Sequence, residues 1–192
     1  MATQTYAKSS ENIQQVESNF LGRTVEMGIN TTTIAYATVF MRVMMGWVLF
    51  QGGIVKVLDP EWTAAGFLQF AIPEGNPFTS LWASFAGNPV IDGLVAWGLT
   101  LTGLCLIFGL LVRWSAFWGA FMMVMFWMAS LTGGLGQFLP LEHGWVFDDH
   151  LIYAILLFGL GALGAGRVFG LDKFVENSEF VQNNRWLRYF LG

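Results

Sequence analysis

The run from Ile34 to Val55 constrains this chain more than any other feature. It is apolar over 22 residues, with a single charge, Arg42, inside it and Lys56 directly after it. About 20 apolar residues cross the hydrocarbon core of a bilayer. An arginine within such a helix costs about 2.5–3.5 kcal/mol on insertion scales, so it is expected to face a protein interior or polar cavity. Arg42, Gly46, Phe50 and Gly53 succeed one another at i+4 and i+3, which puts them on one helical face. Lys56 returns close to that face. The two glycines admit a close neighbour there. The competing reading lets Arg42 snorkel to the cytoplasmic headgroups.

The remaining sequence has the same character. The chain of 192 residues is 55% hydrophobic and only 11% charged, against about 25% charged for soluble domains. Its apolar runs predict an all-α membrane protein, a four-transmembrane-helix bundle with spans at about 34–55, 90–112, 115–135 and 150–166. Residues 33–172 form the membrane domain. Residues 57–89 are too polar and too interrupted to span. They are expected to cap one end as an amphipathic or re-entrant external segment, with a helix starting at Asp59-Pro60 and running through Trp62 to Phe70. The short link Val112-Arg113-Trp114 predicts a tight hairpin of spans 2 and 3. The polar segment 1–32, with Ile13, Val16, Phe20, Leu21 and Val25, suits an amphipathic helix on the membrane surface or a docked tail. Residues 173–192 suit a second amphipathic surface helix. Cys105 lies in an apolar run as a small packing residue. No signal peptide is visible, so the first apolar run is expected to direct insertion.

Four spans place both termini on one side. Lys8, Arg23, Arg113, Arg167, Lys173, Arg185 and Arg188 all fall there, against Lys56 opposite. The positive-inside rule then makes the termini cytoplasmic in a multi-pass cell-membrane protein. The outer side receives seven of the 13 carboxylates, Asp59, Glu61, Glu74, Asp92, Glu142, Asp148 and Asp149, and both histidines, His143 and His150. Proton or redox chemistry is best placed at this end, because a histidine beside carboxylates takes up and releases protons near neutral pH.

The candidate catalytic residues are Arg42, Lys56, Asp92, His143 and His150. Lys56 and Asp92 are expected to pair, either as a bridge fixing helix register or as a polar entrance where a quinone head group or small anion meets the lysine. Trp47 and Trp97, with Phe121, Phe126 and Trp127, are candidates to wall a quinone tail; packing or lipid contact is the plainer alternative. Glu142-His143 and Asp148-Asp149-His150 offer nitrogen and oxygen ligands on one loop, without the spacing of a metalloenzyme motif. Paired intramembrane histidines are absent. Neither a metal nor haem is expected. A net charge of −4 without a basic patch argues against nucleic acid. The lipid bilayer, a partner subunit or a second copy are the expected partners.

These motifs resemble the DoxX/DoxD family of small four-helix membrane proteins. The resemblance rests on Arg42-x-x-x-Gly46 running on to Gly53-x-x-Lys56, on LTGLCLIFGLLVRW ending in Trp114, and on FDDHLIYAILLFGLGALGAGRVFGLD. The last is most similar to the DoxD-like branch, which includes the membrane subunit of archaeal thiosulfate:quinone oxidoreductase. The resemblance covers about residues 35–175. It implies a four-helix bundle and, for that branch, passage of electrons from thiosulfate to membrane quinone with a second subunit. The alternative is a non-catalytic membrane anchor, accessory or assembly subunit of a larger complex.

Overall fold

A computed structural model describes residues 13–20, 22–132 and 148–192. The chain divides into two compact units, residues 1–41 and 42–192.

Among the described residues, the first unit holds a β-hairpin over 13–30 where a surface helix was expected; residues 1–12 of that expectation lie outside the described residues. Strand β1 (Ile13–Phe20) pairs antiparallel with β2 (Arg23–Asn30), from Ile13 opposite Asn30 to Phe20 opposite Arg23. The sequence pattern explains the difference. Val25, Met27 and Ile29 recur at period two, the repeat of a strand. Gly22, at φ +76, supplies the left-handed residue that a two-residue hairpin connection needs.

Helix α1 (Thr31–Val57) follows directly. The Asn30 side chain accepts from the Thr33 amide at 3.0 Å, and so caps a start three residues before the expected one. In the second unit, α1 packs against α3 (Pro89–Phe108) through the anticipated glycine stripe. A methyl group on Gly46 would lie 2.9 Å from the Gly103 carbonyl oxygen. One on Gly53 would overlap the Thr100 amide, and one on Gly103 the Phe50 backbone. Backbone meets backbone along this seam, as small residues permit in membrane helices.

Between these helices the expected helix does not start at Asp59-Pro60; helical structure begins only at Ala65. The Asp59 carboxylate accepts from the Glu61 amide at 3.1 Å, making a local turn that competes with a helix start. A π-helical turn (Phe67–Ala71) and the short helix α2 (Thr79–Phe85) form the cap instead. Asn76 anchors it. Its amide donates to the carbonyls of Met128 (3.0 Å), Ala129 (3.2 Å) and Leu131 (2.8 Å), satisfying acceptors that the end of α4 (Val112–Ser130) leaves open.

Helix α3 stops at Gly109, in the left-handed region at φ +66, and not at Val112 as expected. The hairpin to α4 is therefore Gly109–Leu111. Helix α5 (Asp149–Ala162) also ends early, at Leu163 and the left-handed Gly164; a 3-10 turn (Ala165–Arg167) follows. Helices α4 and α5 pack closely, with Ala116, Met123, Leu157 and Leu160 buried. Gly119 sits against both Leu157 and Thr102, so α3 joins them there. Residues 133–135 of the expected third span lie outside the described residues.

The tail is not one amphipathic helix. It forms α6 (Asp172–Glu176), α7 (Glu179–Asn183) and a 3-10 turn (Arg185–Tyr189), with Val181 and Leu191 buried. Among the described residues, α1 and α3 are long and apolar enough to cross a membrane. Large side chains on α1, α3, α4 and α5 are exposed, among them Trp47, Leu94, Leu101, Phe117, Ile155 and Phe158. Small residues fill the seams. That arrangement suits lipid surroundings.

Candidate functional site

The expected site residues separate into two ends of the helical unit. Arg42 occupies one end, at only 2% exposure. It does not snorkel outward. Its Nη1 donates to the carbonyls of Ala165 and Val168, and Nη2 donates to that of Phe169 at 3.3 Å. Nε is buried without a partner. Gly109 and Gly170 line the cradle: a methyl on either would lie under 3 Å from Nη1. The guanidinium thus fastens α1 to the loop after α5, beside the turn after α3.

Asp172 completes this node, with no exposed surface. Its Oδ1 accepts from the Leu111 amide at 2.6 Å. Its Oδ2 accepts from Val112 at 3.0 Å and from Gly192 at 2.8 Å. It caps α4 from sixty residues away in sequence and ties down the tail, so a domain boundary at 172/173 cuts through a packed unit. Leu111 and Phe169 both have left-handed backbones, at φ 51 and φ 49. Such conformations are costly for bulky residues and persist where surroundings hold them. Here Asp172 and Arg42 hold them.

At the other end, Lys56 and Asp92 do not pair. Lys56 Nζ turns back to its own helix and donates to the Gly52 carbonyl at 2.5 Å, with its charge 5.5 Å from the centre of the Trp62 ring. A last-turn lysine is well placed to satisfy open carbonyls. Asp92 accepts from the Ala64 amide at 2.9 Å, fastening the cap to α3.

His150 lies in the first turn of α5. Its Nδ1 is 2.9 Å from Asp148 Oδ2 and 3.3 Å from Asp149 Oδ1. Asp148 is the N-cap of α5: Oδ1 accepts from the Leu151 amide at 3.0 Å, and Ser130 Oγ donates to Oδ2 at 3.1 Å. Partial burial works against its charge. The bonds from His150, Leu151 and Ser130, with the His150 charge, outweigh burial and hold this carboxyl below its ordinary range. The three ligand-type side chains Asp148, Asp149 and His150 lie within 4.8 Å of one another. Both Asp148 oxygens are already committed to these bonds. His143 and Glu142 lie outside the described residues.

A cavity of about 320 Å³ lies between the cap, the start of α3 and the end of α4. Leu68, Trp82, Leu94, Met125, Phe126 and Ala129 are among its wholly apolar lining. Phe126 connects it to the histidine: its ring stands edge to face with His150, centroids 5.8 Å apart. Trp47 and Trp97 do not line this cavity. They are 53% and 54% exposed, on outward faces.

Residues 37–131 match the DoxX family, over α1, the cap, α3 and α4. The chain carries a DoxX domain. It is a membrane protein by that domain and its apolar helices. No curated protein and no solved structure matches it. The DoxX stretch contains Arg42, Lys56, Asp92 and the cavity, while His150 and Asp172 lie beyond it.

Sequence reasoning missed Asp172, Asn76 and the cavity. Asp172 was visible only as the end of Gly-Leu-Asp, and Asn76 only as a residue between chain breakers. Each acts on backbone groups distant in sequence, so no local pattern announces it.

Proposed function

We propose that this DoxX-domain protein is the membrane subunit of a quinone-linked oxidoreductase, and that the cavity beneath the cap receives the quinone ring. The supporting observation is the apolar cavity with the His150–Asp148 pair just behind one wall. Its volume lies at the lower end of small-ligand pockets, enough for a ring whose tail runs out into lipid. In this reading α1, α3, α4 and α5 cross the bilayer as a bundle with cytoplasmic termini. Helix α5, about 21 Å long by its residue count, is the shortest crossing.

Reduction of a quinone to a quinol takes two electrons and two protons. Oxidation of two thiosulfates to one tetrathionate supplies two electrons, as would a redox partner subunit. His150 supplies both protons in turn, regaining one from water between the two transfers. With Nδ1 held by Asp148, Nε2 is the nitrogen that passes them on. Asp148 fixes the ring.

The test is binding of a short-chain quinone to the purified protein, followed by reduction with thiosulfate, alone and with its partner. Leu68→Trp fills the cavity from the cap and should weaken binding about tenfold or more. His150→Gln should leave binding intact and slow reduction. Wild-type affinity in a folded Leu68→Trp protein removes the quinone from this cavity.

One observation favours a second reading, a membrane anchor or assembly subunit. Arg42 and Lys56 both give their donors to backbone carbonyls, as packing residues do. A stable complex with a partner, in which the chain neither binds nor reduces quinone, supports that reading.

A further inference from the structure

We infer that the groove between α4 and α5 is a binding site for an anionic phospholipid, with the phosphate at Arg113 and an acyl chain lying along the groove. This proposal is independent of the quinone reading and concerns the opposite end of the helices.

The groove encloses about 420 Å³. Arg113, Ala116, Phe117 and Ala120 line it on α4, and Phe158 and Gly161 on α5. The α4 positions follow i, i+3, i+4, i+7, one stripe about 10 Å long. Its floor is low: a methyl on Gly161 would lie 3.1 Å from Ala116 Cβ. Its walls are two outward rings, Phe117 at 60% exposure and Phe158 at 73%. A methylene chain fits a narrow trough of this kind, floored by small residues and walled by aromatic ones.

The mouth of the trough is cationic. A methyl on Gly164 would lie 3.6 Å from Arg167 Nη1 and 3.9 Å from Arg113 Nη2, which brings both guanidiniums to the same end of α5. Arg167 pairs with Glu176 through bonds of 2.9 and 3.2 Å. The Glu176 carboxyl is held below its ordinary range first by that bond, then by the charges of Arg167, Arg188 and Arg113, against slight burial. Arg188 therefore belongs to the same cluster. Its Nε is buried without a hydrogen-bond partner. Arg113 makes no ion pair among the described residues. Three guanidiniums are set around the single Glu176 carboxylate, an excess of positive charge.

An arginine fork binds phosphate oxygens in pairs. A headgroup phosphate at the membrane surface brings that charge complement, and its acyl chain occupies the trough that leads from it. Basic pockets between membrane helices on the cytoplasmic side take anionic headgroups for this reason.

The experiment titrates the purified full-length protein in detergent with phosphatidylglycerol or phosphatidylcholine of matched chains, and counts bound lipid by native mass spectrometry. Phosphatidylglycerol should bind in preference. Arg113→Gln and Arg188→Gln should each weaken it about fivefold, the worth of one basic side chain at an anionic surface. Ala120→Leu, which fills the trough and leaves the arginines alone, should weaken it as well. Where an arginine variant fails to fold, wild type decides: raising salt from about 0.1 to 0.5 M should reduce binding of the anionic lipid alone, by charge screening. Equal binding of the two lipids by wild type overturns the proposal. So does undiminished phosphatidylglycerol binding in folded Ala120→Leu, or full displacement by inorganic phosphate, which needs no trough.

Discussion

Replacing Asp172 should destabilise the protein in proportion to the amide donors left without an acceptor. In Asp172→Ala all three lose their partner: Leu111, Val112 and Gly192. An unsatisfied buried donor costs about 1–3 kcal/mol, so the sum is about 3–9 kcal/mol. Asp172→Asn keeps one oxygen. Turned toward Val112 and Gly192, that oxygen retains two of the three bonds, and only Leu111 faces the new amide group. The loss is then one bond, about 1–3 kcal/mol. For a chain of this length about 1 kcal/mol moves the unfolding midpoint by roughly 2–4 °C. The alanine variant should therefore fall at least about 6 °C below wild type, and the asparagine variant should lie between them.

Tryptophan fluorescence during thermal unfolding in detergent reads this well. Trp114 packs edge to face with Phe190 at 5.0 Å, next to the node. Amide exchange at Leu111 and Val112 should accelerate in both variants, because their protection passes through the carboxylate. If Asp172→Ala is no more destabilising than Asp172→Asn, accepted hydrogen bonds do not hold this end together and the reasoning fails.

Two further outcomes follow from the geometry. Gly53→Ala should destabilise, because a methyl there overlaps the Thr100 backbone, whereas Gly52→Ala meets nothing within 4 Å and should be neutral or stabilising by about 0.5–1 kcal/mol; equal midpoints for the two variants would contradict the α1–α3 seam. The Asp148 carboxyl is held below its ordinary range in the folded protein, so its contribution is complete above the unfolded carboxylate range and is lost as pH falls through the lower folded value; Asp148→Asn should flatten this acid-side loss, and an unchanged acid limb in the midpoint-against-pH curve would exclude the capping role.

The helices and their inner faces were legible because lipid and close packing impose periodic rules on composition. Arg42, Gly46, Phe50 and Gly53 share the buried side of α1 as their spacing requires. Asp148 caps α5 as an acidic residue before an apolar run should. Illegible features depend on partners distant in the chain. The end of α3 is set by Gly109 and by Leu111, whose left-handed backbone is held by a carboxylate sixty-one positions later. The expected Lys56–Asp92 bridge rested on charge alone. Nearby backbone groups won, because a carbonyl one turn back and an amide in the cap need no long side-chain excursion. The hairpin at 13–30 was missed because a helical repeat was sought where the alternation had period two.

The placement of the charges also decides where chemistry can sit. A buried guanidinium with three carbonyl partners is expensive to disturb, since removing any partner leaves a charged donor unsatisfied away from water. Arg42 is thus poorly suited to binding and releasing an anion in each turnover. Lys56 is held on its own helix and above an aromatic ring. The His150 cluster differs: it is partly open, its ring is oriented by a carboxylate, and one aromatic ring separates it from an apolar cavity. A proton can move there without unlocking the fold. On these grounds the proposed redox site is placed with the histidine and the cap, and the first helix's cations with the scaffold that holds them in register.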